Sequence, residues 1–160
     1  MDLMQGTQTQ LWQTVIREGA RRGGVRLDED AESYLGFVLI RYLRDTQLAS
    51  HTLALDWLQA HEERALARAD ALRDVGDRCL LIAGLFPQLA TRRRVSEDYF
   101  IDLGGSAYRG VAEAARAGYA ALFAQLARGF EQLVAALRHV RDDPAVPAMT
   151  VVPIVDRRRH

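Results

Sequence analysis

The sequence predicts an all-α protein: a single-domain bundle of about five to six helices, followed by an extended, proline-containing C-terminal arm. Three observations lead to this prediction. Apolar residues recur at intervals of three and four over most of the chain, which is the spacing of one face of an α-helix. The length of 160 residues matches one domain. An apolar fraction of 49% and a charged fraction of 26% are typical of a globular protein and exclude a disordered one.

The first two helices are predicted over residues 8–21 and 28–48. The pair Gly23 and Gly24 should end the first helix, because glycine readily adopts the left-handed conformation of a helix stop. The second helix begins with acidic residues and is apolar on nearly all sides, which predicts a place near the centre of the bundle. Gly36 within it predicts the close approach of a neighbouring element.

The third helical segment is predicted over residues 52–86, with a break near residues 61–63, and Pro87 should end it. Its second half carries an apolar stripe: Ala65, Ala69, Leu72, Val75, Cys79, Ile82 and Phe86. Cys79 lies on this stripe and is therefore interpreted as a core residue rather than a reactive thiol. The opposite face, which includes Arg73, Asp74 and Asp77, is predicted to be solvated.

The remaining helices are predicted over residues 97–116 and 118–141. Ser96 is a suitable cap for the former. Gly104 and Gly105 leave two alternatives there, one kinked helix or two short ones. The last helix has the most regular stripe and should pack antiparallel to the helix that ends at Phe86; its stripe is Tyr119, Leu122, Leu126, Phe130, Leu133, Leu137 and Val140.

Residues 144–160 form the predicted arm, which follows a helical domain of residues 1–143. The arm combines three prolines with many apolar residues and ends in a basic cluster. Such a segment suits an extended conformation packed along the bundle or on a second subunit. Together with the long apolar stripes, it predicts a homodimer.

The balance of charges and the absence of several motifs limit the kinds of site that the chain can form. The 21 acidic residues balance 21 basic ones, which argues against nucleic-acid binding through the overall field. No pair of histidines is one helical turn apart, the only cysteine is Cys79, and a P-loop is excluded because lysine is absent. The carboxylate pairs Asp70–Asp74 and Asp98–Asp102 are interpreted as solvated helix faces. The sequence therefore predicts no metal and no cofactor.

One region is a candidate ligand site. Its residues are arginines, tyrosines and one aspartate that fall within about twenty positions: Arg92, Arg93, Arg94, Tyr99, Asp102, Tyr108 and Arg109. Arginine holds phosphate or carboxylate through a planar, two-pronged contact. The alternative interpretation is a polar turn between helices, with the tyrosines packed in the core.

Three function classes remain. The first is a non-catalytic helical interaction or regulatory protein that forms a homodimer and binds a protein partner, because no catalytic constellation is found. The second is a binder of, or an enzyme on, a small anionic ligand in the region from Arg92 to Arg109. The third is a nucleic-acid-binding regulator that uses the local clusters Arg92–Arg94 and Arg157–Arg159.

The expected location is the cytoplasm. The N-terminus lacks the basic start and apolar run of a signal peptide, and one cysteine suits a reducing compartment. The longest strongly apolar run, from Cys79 to Phe86, has eight residues and is too short to span a membrane.

Overall fold

The computed structural model of the protein describes residues 2–42, 53–60, 65–92, 95–115 and 117–143. Within these ranges the chain forms no strand and eight helices: α1 (Asp2–Arg22), α2 (Glu29–Tyr42), α3 (Leu53–Ala60), α4 (Ala65–Gly84), α5 (Pro87–Arg92), α6 (Glu97–Ala114), α7 (Ala117–Arg128) and α8 (Phe130–Arg141). The prediction of an all-α fold is confirmed. The predicted arm, residues 144–160, lies outside the described residues.

The turn between α1 and α2 follows from local sequence. Gly24 has a φ of 68°, and the N–H of Val25 donates to the carbonyl of Ala20 at 3.0 Å, which is the hydrogen bond of a Schellman helix stop. Asp28 then caps α2, because its carboxylate accepts the N–H of Ala31 at 2.9 Å. The stop of α1 is as predicted, although α1 starts earlier than residue 8.

The helices pack in a closed ring in the order α1, α2, α7, α6, α4 and α8, while α3 and α5 lie against α4. The prediction that the second helix lies near the centre is wrong, since α4 contacts α3, α5, α6 and α8. Every residue from Cys79 to Phe86 is buried, so the second half of α4 is the most enclosed part of the ring. The core position of Cys79, which is fully buried, is confirmed.

The predicted break in the third segment is confirmed, because α3 and α4 are separate helices that pack against each other. The arginine-rich turn after Phe86 contains a further helix, α5. Pro87 is the first residue of α5, a position where the missing N–H of proline costs nothing.

The structure resolves the alternatives for residues 97–116, because α6 is one helix that contains Gly104 and Gly105. Ser96 is its N-cap as predicted, and the Ser96 Oγ accepts the N–H of Tyr99 at 3.1 Å. The prediction of a close approach at Gly36 is wrong. A Cβ built there would meet only Ile16 Cδ1, at 3.9 Å, which is ordinary van der Waals contact.

The predicted last helix is divided at Gly129 into α7 and α8. The antiparallel packing predicted for it is also wrong. Gly104 lies against both Cys79 and Phe130, and further along Gly84 lies against Leu137. Both α4 and α8 advance from the first contact to the second, so they run in the same direction. None of the helices in the described ranges is both long and apolar enough to cross a bilayer.

Candidate functional site

The residues of the predicted anion site are not brought into one cluster. Arg93 and Arg94 lie outside the described residues, as does the side chain of Arg92. On α6, Tyr99, Asp102 and Arg109 occupy exposed positions, whereas Tyr108 is fully buried. The Tyr108 side chain therefore faces the core, away from the solvent that the other three contact. Ligand binding by this set of residues stays a prediction.

Tyr108 instead reaches a buried carboxylate that α4 places inside the ring. The hydroxyl of Tyr108 donates to Asp77 Oδ1 at 2.6 Å. The hydroxyl of Tyr34, from α2, donates to the same oxygen at 2.6 Å. Asp77 Oδ2 is buried and has no hydrogen-bond partner among the described residues. Three helices thus meet at one carboxyl group.

The solvated face predicted for α4 is wrong at Asp77, which has no exposed surface. Asp77 precedes buried Leu80 and Leu81 by three and four residues, so these three side chains share one face of the helix. This spacing is the feature of the sequence that could have identified Asp77 as a core residue. The prediction grouped Asp77 with Arg73 and Asp74 by charge, whereas its position on the helix places it with the core.

Burial dominates the electrostatics of Asp77. Loss of hydration disfavours the ionised carboxylate and raises its pKa to about 7, and the two tyrosine hydroxyls and nearby Arg73 limit the rise. Burial also raises the pKa of Tyr34 and that of Tyr108. Both tyrosines are therefore neutral hydrogen-bond donors at physiological pH.

Aromatic rings enclose this polar centre. Phe123 lies edge-on to Tyr34 and to Tyr108, with ring centroids 5.2 Å and 5.3 Å apart. Phe130 contacts Tyr108 from the other side at 5.4 Å. Gly76, one residue before Asp77, lies directly against the Tyr108 ring. The rings exclude solvent from the carboxyl group, so this cluster links helices and does not contact a substrate in this conformation.

A second tyrosine–aspartate pair links α2 to α4 closer to the surface. The hydroxyl of Tyr42 donates to Asp74 Oδ1 at 2.6 Å, and Arg78 Nε lies 3.0 Å from Asp74 Oδ2. Asp74 is therefore engaged on both oxygens. In the part of the chain that the structure describes, no three histidine, cysteine or acidic side chains are grouped as metal ligands.

The outer face of α2 presents a narrow exposed stripe. It consists of Asp30, Ser33, Phe37 and Arg41, spaced by three and four residues, and is called the α2 stripe below. The Phe37 side chain is 46% exposed. The stripe has a carboxylate near its start and a guanidinium near its end, and neither group has an ion pair among the described residues.

Further aromatic rings extend from the α2 stripe onto α7. Phe37 contacts Tyr34 with centroids 6.0 Å apart, and Tyr34 contacts Phe123. Phe123 in turn contacts Tyr119 at 5.9 Å, and Tyr119 is 61% exposed. The two exposed rings are thus supported from beneath by rings of the core. Sequence reasoning placed Tyr119 on the buried stripe of the last helix and so missed this surface.

Comparison of the chain with protein-family models, with curated proteins and with solved structures found no match.

Proposed function

We propose that the protein is a non-catalytic helical interaction protein that forms a homodimer through the α2 stripe. The observation that carries the proposal is the exposed stripe itself, where an aromatic side chain lies between an aspartate and an arginine that form no ion pair with the part of the chain that the structure describes. Binding is favoured over catalysis because Asp77 and Cys79, a carboxyl group and a thiol whose pKa values are both raised by burial, have no exposed surface.

The arrangement of charges favours a second copy of the chain as the partner. A two-fold axis perpendicular to α2 sets the helices of two protomers antiparallel, and each residue then meets a different residue of the same surface. Asp30 and Arg41 lie about 16 Å apart along the helix, at a rise of about 1.5 Å per residue. In this antiparallel arrangement Asp30 of one protomer would face Arg41 of its partner, and Arg41 would face Asp30. Phe37 would contact the partner near its Ser33 and Tyr34 positions.

The composition of the surface also suits an interface. Aromatic residues and arginine are enriched at the buried centres of protein interfaces. Phe37 and Tyr119 supply the aromatic area, and the core rings beneath them hold them in place. We also propose a cytoplasmic location, because a single cysteine can form no intramolecular disulfide and suits a reducing compartment. Such a dimer would present the rest of its helical surface to a protein partner.

Charge reversal tests the dimer. Asp30→Arg and Arg41→Asp are each expected to raise the dissociation constant at least about tenfold, because each sets like charges opposite one another. The double variant should recover the wild-type constant. An equimolar mixture of the two single variants should form a heterodimer, since their charges are complementary. Sedimentation velocity at low and moderate salt measures the dissociation constant of each of these four samples.

Two control variants separate the α2 stripe from other surfaces. Phe37→Ser should weaken the dimer, whereas Leu58→Ser should not, although Leu58 on α3 is 53% exposed. Deletion of residues 144–160 tests the predicted arm. A dimer that is lost on this deletion but insensitive to charge reversal would assign dimerisation to the arm. A monomeric wild-type protein at high micromolar concentration would refute the proposal.

A further inference from the structure

A cavity opens where the turn between α1 and α2 faces the junction of α7 and α8. Its volume is about 440 Å³, which falls in the range of small-molecule sites. The division of the last helix at Gly129 contributes to its shape, because Gly129 lines the cavity. The α2 stripe contributes no residue to it. The cavity is thus separate from the proposed dimer surface.

Two arginines contribute positive charge to the cavity. Arg26, in the turn, and Arg128, at the end of α7, both line it. Neither has a hydrogen bond or an ion pair among the described residues. Both positions are exposed, so the guanidinium groups are free to move onto a ligand.

The acidic residue in the cavity, Asp28, is already engaged. Its Oδ1 caps α2 through Ala31, and its Oδ2 accepts the side-chain amide of Gln125. These hydrogen bonds hold the pKa of Asp28 below its ordinary value. Asp28 is therefore ionised and keeps its negative charge, because both of its hydrogen-bond donors are neutral. The two arginines outweigh this single carboxylate, so the charge of the cavity lining is positive.

The rest of the lining is divided between polar and apolar groups. Gln132 is a further side chain able to donate hydrogen bonds. Gly129 has no side chain, so the backbone at the junction of α7 and α8 forms that part of the cavity wall. Val25 and Leu27, both half-buried, offer an apolar surface beside these donors.

We propose that this cavity binds a small amphiphilic anion. The ligand would have a carboxylate or phosphate head held by Arg26 and Arg128, and an apolar body against Val25 and Leu27. Arginine suits such a head because its planar donors match both groups. The site differs from the one that the sequence predicts between Arg92 and Arg109. No residue of the α2 stripe lines it.

The test uses probes of one length and different heads. Octanoate and octyl phosphate present an anionic head on an apolar chain, octanol presents a neutral head, and inorganic phosphate has no chain. Isothermal titration calorimetry with the full chain is expected to detect binding of octanoate or octyl phosphate. The affinity for either should be higher than that for octanol or inorganic phosphate. Equal affinity for octanol would show that the cavity does not select anions. No binding of either amphiphile at millimolar concentration would overturn the proposal.

Arginine variants locate the site. Arg26→Gln and Arg128→Gln should each weaken binding of the anionic amphiphile about tenfold, through loss of a charge-assisted hydrogen bond. Both positions are exposed, so folding should be unaffected. Arg109→Gln is the matched control, because Arg109 is also exposed but lies outside this cavity. Loss of binding in Arg109→Gln alone would favour the sequence-predicted site and reject this one.

Discussion

Replacing Gly104 by alanine is expected to lower the free energy of unfolding by about 3 kcal/mol, the upper end of typical overpacking costs. A Cβ at Gly104 would overlap the ring of Phe130 and lie 2.9 Å from the Cβ of Cys79. Phe130 is buried and packed against Tyr108, and the Cys79 Cβ moves only with the α4 backbone. The three helices α4, α6 and α8 would therefore have to separate. Urea denaturation followed by circular dichroism measures the loss.

Gly36→Ala is the matched control for Gly104→Ala. Gly36 is also a buried helical glycine, but a Cβ there has only ordinary contact with Ile16. Alanine restricts the unfolded chain and suits a helix better, so this variant should gain about 0.5–1 kcal/mol. Equal stability of the two variants would contradict the close approach of α6 to α4 and α8.

Replacing Asp77 by asparagine is expected to change how stability depends on pH. Burial raises the pKa of Asp77 from an ordinary 3.8 to about 7. Between these pH values the folded protein retains a proton that the unfolded chain releases. The contribution of Asp77 to the free energy of unfolding should therefore be greatest below about pH 4, and it should fall as the pH rises to 7. One pKa unit corresponds to about 1.4 kcal/mol, so the fall is at most about 4 kcal/mol.

Asparagine resembles protonated aspartic acid in shape and can still accept the hydroxyls of Tyr34 and Tyr108. Asp77→Asn should thus match the wild-type stability within about 1 kcal/mol near pH 4 and exceed it near pH 8. Urea denaturation at five pH values from 4 to 8 tests this divergence. Asp102→Asn, at an exposed position, controls for the loss of one carboxylate elsewhere. Parallel curves for wild type and Asp77→Asn would show that Asp77 stays ionised in the core.

The sequence was most informative where a pattern depends on neighbouring residues alone. The stop at Gly24, the cap at Ser96 and the core position of Cys79 each follow from a few adjacent positions, and each is confirmed. The break at Gly129 was missed because the apolar stripe continues through it, from Leu126 to Phe130 and Leu133. An apolar stripe shows which face of a helix is buried. It does not show that the helix axis changes direction at one glycine.

The candidate sites depended on contacts between distant parts of the chain. Asp77 and Tyr108 are separated by 31 positions, and their hydrogen bond follows from the antiparallel packing of α4 against α6. The cavity between Arg26 and Arg128 exists only because the α1–α2 turn meets the α7–α8 junction. The predicted cluster from Arg92 to Arg109 assumed that nearness in sequence brings side chains together. On α6 itself, Tyr108 and Arg109 are adjacent and yet face the core and the solvent respectively.

By itself, the sequence determined the all-α class, the presence of most helices and the identity of several core residues. These properties follow from helical periodicity and capping, which are local. Only the tertiary structure decided that α4 rather than α2 is central, that Asp77 is buried between two tyrosines, and that Phe37 and Tyr119 remain exposed. The physical reason is that an apolar face must be covered, but the pattern of one helix does not specify which helix covers it. That choice depends on the fit of side chains across the whole ring, as at Gly104 and Phe130.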